Sequence, residues 1–134
     1  MNNLSRSLVG MIAASMLVFG LGFWFAFDSI TPLFAFTADN PLARAGIRGD
    51  IGGLFLILSG LTAYAAVNQS VPAARFAAIM FIVALSGRIM TVLLEGAVPG
   101  GLAPMLVEAT SAALLLWASY VWVQQPALAE PITA

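Results

Sequence analysis

The chain contains no cysteine, no histidine and no lysine, and charged residues of any kind make up only 8% of its 134 positions. Each absence removes a class of chemistry. Without cysteine there is no disulfide, thiolate nucleophile, iron–sulfur ligation or zinc–sulfur site. Without histidine the usual axial haem ligand and the commonest zinc ligand are missing. The five basic residues are all arginine and form no basic run that could track a nucleic-acid backbone, so no nucleic-acid partner is expected. Formal net charge is -1.

What is present is apolar. A water-soluble domain usually devotes about a quarter of its residues to charge, whereas this chain is 61% hydrophobic with a mean hydropathy of +1.00. Apolar stretches at 8–27, 51–67, 76–94 and 102–123 reach or approach the roughly 20 residues that cross a hydrocarbon layer. With their flanking turns they predict helices at 8–27, 45–68, 73–95 and 103–123, then a proline-containing tail at 124–134. The expected fold class is all-α: an integral membrane antiparallel four-helix bundle forming one domain over 1–134. The first stretch reads as a retained helix and not a signal peptide, being longer than an h-region of about 7–15 residues and ending in bulky aromatics.

Local signals punctuate these spans. Asn40 before Pro41 is a cap followed by a first-turn proline, so the second helix is expected to begin near Pro41 with a polar turn or two before Ile51. Ser29 or Thr31 followed by Pro32 is expected to start a short helix or a re-entrant piece through 33–36, which is apolar enough to rest in the interface. Pro72 suits the start of the third helix, and Pro99-Gly100-Gly101 marks a turn. Trp24 near one surface, with Trp117, Tyr120 and Trp122 near the other, suits the headgroup zones. Gly49, Gly52, Gly53, Gly60 and Gly87 are expected to be helix-packing positions, because small residues let helices approach closely in lipid. Four crossings put both termini on one side with Arg6 and Arg75, against Arg44 and Arg48 on the other. A multi-pass protein of a bacterial inner membrane with cytoplasmic termini is the expectation, its acidic outer connections being easy to translocate.

The remaining charges gather at one end of the spans. Arg88 lies several residues inside the third helix, where an isolated cation costs about 2.5–3.5 kcal/mol at mid-bilayer, less near the surface. Counted through the turn at Pro99, Glu108 lies at nearly the same depth in the antiparallel fourth helix. Glu95 follows Arg88 by about two turns and shares its face. Arg48 and Asp50 approach from the second helix and Asp28 from the first. Arg88, Glu108, Glu95, Arg48 and Asp50 are therefore candidates for ligand binding or buried ion pairing in one shared vestibule. No catalytic residue and no metal site is expected, since the aspartates and Glu95 match no calcium loop, and no cofactor is implied.

The run Arg48-Gly49-Asp50-Ile51-Gly52-Gly53, Gly60 in the same helix, Gly87-Arg88 in the third and a glutamate early in the fourth resemble a family of small bacterial four-helix membrane proteins, known only as a domain of unknown function. A looser likeness links the chain to oxidoreductase-associated four-helix membrane proteins, but the cysteines and histidines that would support redox chemistry are absent here. The resemblance implies the fold and marks Asp50, Gly52, Gly53, Gly87 and Arg88; it supplies no substrate. Three functional readings stay open beside a purely structural Arg88–Glu108 bridge. The first is an intramembrane pocket for an amphiphilic or lipid-like molecule. The second is an accessory subunit contacting a membrane-protein partner or another copy of itself. The third is an acid–base enzyme working through Glu108 or Glu95. Membrane lipids are partners on every reading.

Overall fold

The computed structural model describes residues 2–97 and 99–124; most of the tail expected at 124–134 lies outside them. Four long helices dominate: α1 (Asn2–Phe25), α2 (Pro41–Asn68), α3 (Val71–Glu95) and α4 (Leu102–Val123). Each carries an apolar window, with mean hydropathy between 1.5 and 2.2, and each is long enough to cross a membrane. The described residues contain no strand. The molecule is an all-α, multi-span membrane protein built as an antiparallel four-helix bundle.

α1 runs without proline until Ala26, whose backbone leaves the helical region (φ -124°, ψ 43°). A single turn, Phe27–Ile30, and a 3-10 turn, Thr31–Phe34, follow. Ala35 stops them in the left-handed region at φ 55°. The short helix expected before Phe36 is present as this 3-10 turn, and Phe34 and Phe36 turn toward the rings of α1 and α2 while Leu33 is exposed. Phe34 meets Phe19 edge-on with centroids 5.3 Å apart, and lies 5.1 Å from Phe23 and 5.6 Å from Phe55. Phe36 stacks behind it. Aromatic area this large is better buried against other rings than left at a wet surface.

α2 starts as its sequence indicates. Asn40 is extended and its Oδ1 accepts from the Ala43 N–H at 2.9 Å, with Pro41 in the first turn. Its residues Ile47–Gly52 form a wide π turn before regular α geometry resumes at Gly53. Gln69, left-handed at φ 50°, ends the helix, and α3 begins two residues later with Pro72 in its first turn. Gly96 closes α3 at φ 90°, where a side chain would be strained. Pro104 falls early in α4, where backbone N–H groups lack intrahelical acceptors anyway.

α1 packs chiefly along α2, and α3 along α4, with less extensive α2–α3 and α1–α4 contacts completing the ring. The core concentrates toward the end that holds the chain's N-terminus and the α2–α3 turn. There α3 contributes Ala73, Ala74, Ala77 and Ala78, two small-residue pairs four apart that bring backbones close. Ser59 Oγ donates to the Ala13 carbonyl at 2.8 Å, and the buried Trp122 indole donates to Ser5 Oγ at 2.9 Å, tying α2 and α4 to α1. Beyond Phe81, α3 buries no residue, and its second half is accompanied chiefly by α4. Large apolar side chains such as Met11, Ile57 and Val83 face outward, more than 60% exposed, as suits a hydrocarbon solvent.

The glycines divide. A Cβ at Gly52 would come within 2.9 Å of the Trp24 ring and 3.0 Å of Phe23 Cβ, so α1 and α2 meet there. Gly20 serves the same contact from α1, its Cβ position 2.7 Å from Leu56. At Gly49, Gly53, Gly60 and Gly87 an added Cβ meets nothing within 4 Å. The packing role expected of these four is therefore not realised among the described residues: they lie off the helix–helix seams, which alanine, serine and phenylalanine largely occupy.

Candidate functional site

On α4, a stripe with helical spacing points inward: Glu108, Ser111, Ala112, Leu115, Ala118 and Trp122 are all buried. Glu108 is the one ionisable member. On α3, Arg88 continues the row of Ala77 and Phe81, so both charged groups project from core-facing stripes. They meet: Arg88 Nε donates to Glu108 Oε1 at 2.7 Å, a charge-assisted bond between adjacent helices. The arginine side chain is 39% exposed and the glutamate side chain 11%. Each lies about 10 Å along its helix from the α3–α4 turn.

The pairing is incomplete. A guanidinium and a carboxylate can engage through two parallel bonds, yet only one forms here. Glu108 Oε2 is buried and has no hydrogen-bond partner, and the terminal nitrogens of Arg88 donate to no described residue. The pair thus presents an unused acceptor beside unused donors. Across the bundle, Phe19 stands at the same level. It lies as far along α1 from Ser5 as Glu108 lies from Trp122 along α4, about 21 Å, and Ser5 and Trp122 are bonded. Phe19 and Phe55 are half-buried, with centroids 5.7 Å apart.

Asp28, Arg44 and Arg48 form a second cluster, and the single vestibule expected from sequence gives way to two sites. Arg44 Nη2 contacts both oxygens of Asp28, at 2.7 and 3.0 Å. The Arg44 guanidinium lies 4.4 Å from the Phe27 ring centroid and that of Arg48 lies 5.0 Å from it. Trp24 Nε1 donates to the Arg48 carbonyl at 3.0 Å. Both ion pairs among the described residues lie within a hairpin, α1–α2 or α3–α4, and none joins the two. The reason is reach: Asp28 and Arg44 flank the connection that joins their own helices. Asp50 and Glu95 are exposed and enter neither pair. Asp28 and Arg44 as partners, and Trp24 as a bond donor, were not singled out from sequence. The aromatic next to an interfacial aspartate was the only available signal.

No group of three histidine, cysteine, aspartate or glutamate side chains capable of holding a metal ion occurs among the described residues. Comparison of the chain with protein-family models, curated proteins and solved structures finds no match.

Proposed function

We propose that this small multi-span membrane protein binds an amphiphile whose polar head carries a hydrogen-bond donor next to an acceptor. The supporting observation is the buried Glu108 Oε2 without a partner, beside an arginine that has donors to spare. A buried acceptor left unmade costs about 1–3 kcal/mol, and more within hydrocarbon, where water does not compete to satisfy it. A hydroxyl or similar head would donate to Oε2 and accept from the Arg88 terminal nitrogens, satisfying both. Its tail would extend toward the half-buried rings of Phe19 and Phe55. The acid–base enzyme reading draws less support, since among the described residues no second ionisable side chain joins the pair.

Native mass spectrometry of gently extracted protein tests the proposal. Wild type should retain an amphiphile that Glu108→Gln loses, because the amide matches the carboxylate in shape but brings its own donors. Glu95→Gln should retain it. The same adduct in Glu108→Gln, or none in wild type, would remove the basis for a ligand at this pair.

A further inference from the structure

A separate open cleft of about 470 Å³ lies on the α1–α2 hairpin, lined by Trp24, Phe25, Arg48 and Gly49. We infer that it seats the anionic phosphate headgroup of a membrane lipid, with Arg48 as the recognising cation. The argument begins with charge. Two guanidinium groups stand within about 5 Å of the Phe27 ring, but one carboxylate serves them. Both oxygens of Asp28 contact Arg44, and neither contacts Arg48. Arg48 has no ion pair among the described residues, and Asp50, the nearest acid in sequence, is exposed and unpaired. Arg48 thus stands beside the cleft with no carboxylate bonded to it among the described residues.

One wall of the open cleft is fixed in place. The Trp24 indole, one wall, is held by its bond to the Arg48 carbonyl and rests on Gly52, where a Cβ would meet the ring at 2.9 Å. Gly49 leaves the floor open: a side chain there would enter unoccupied space. That separates two glycines three residues apart on one wide turn, one closed by the tryptophan and the other facing the cleft.

Position selects a lipid over a soluble anion. Trp24 and Phe25 end the first span, and Arg48 precedes the apolar run of the second, so the cleft sits at headgroup depth. Phe25, 80% exposed, and Leu21, one turn back along α1, continue from the cleft as an outward apolar track on which an acyl chain can lie. Phosphate accepts hydrogen bonds in a geometry that suits a guanidinium fork.

The test uses full-length protein reconstituted in nanodiscs of phosphatidylcholine with a minor share of phosphatidylglycerol, then native mass spectrometry of the lipid it keeps. Wild type should enrich phosphatidylglycerol. Arg48→Gln and Gly49→Leu should each reduce that enrichment about tenfold, the equivalent of one charge-assisted bond. Arg75→Gln, which removes an exposed arginine that does not line this cleft, should leave it within about twofold. Equal loss in Arg75→Gln would reduce the effect to diffuse surface charge and overturn the site. So would full enrichment in Gly49→Leu, which remains informative if Arg48→Gln fails to fold. Inorganic phosphate alone should not raise the melting temperature in detergent; a rise equal to that given by the lipid would overturn the lipid assignment.

Discussion

Arg88 holds Glu108 through one nitrogen, and the carboxylate is far less exposed than the guanidinium. That asymmetry makes the two single deletions unequal. Arg88→Leu strands a carboxylate among helices and should cost about 2–3 kcal/mol, below the usual 3–5 for a buried pair because the arginine is partly exposed. Glu108→Leu leaves a long cation able to reach the surface and should cost about 1 kcal/mol. The Leu/Leu double variant should return to within about 1 kcal/mol of wild type, since no uncompensated charge remains. Arg75→Leu should be nearly silent. Unfolding titrations in mixed micelles measure all four, and simple additivity of the two single costs would mean that the residues are not coupled. Depth counting through the Pro99 turn made this partnership legible in the sequence. Which nitrogen binds which oxygen was not, because it depends on side-chain rotamers that spacing does not specify, and the unused Oε2 follows from that choice.

Among the elements, α2 shows what a sequence reveals and what it withholds. Asn40 and Pro41 announce its start through chemistry local to one turn, and the cap is formed. Asn40→Ala should cost about 1 kcal/mol, with faster hydrogen exchange at the Ala43 and Arg44 amides and none at α3. Unchanged exchange at Ala43 would mean that the cap bond is not holding the turn. The π turn at Ile47–Gly52 was not legible, since a glycine-rich run is compatible with packing, bending or open space. Only Gly52 of the five expected packing glycines meets a neighbouring side chain; the buried positions of α3 are alanines and Phe81. Alanine is so common in membrane helices that Ala73/Ala77 and Ala74/Ala78 do not stand out from their surroundings. The ring partners of Phe34 and Phe36 were not legible for a related reason. Apolar residues outside a span suit an interface or a core equally, and the rings of α1 and α2 decide it.

Across the whole molecule, four antiparallel spans place the α2–α3 turn opposite the two other connections. The native absence of cysteine makes this directly measurable. Single variants Asn68→Cys, Thr37→Cys and Ala97→Cys should divide under a membrane-impermeant maleimide, the first labelled from one side and the other two from the opposite side. Labelling of all three from the same side would contradict the arrangement. The count of crossings was legible because hydropathy reports it directly. The division of charges between hairpins was not, since depth alone does not say which neighbours a side chain faces. That division bears on how the chain is made. Since Arg88 and Glu108 ride on consecutive spans joined by a short turn, each can be neutralised by the other as soon as both leave the ribosome. The newborn protein need not wait for its earlier half before committing an ionised side chain to oil.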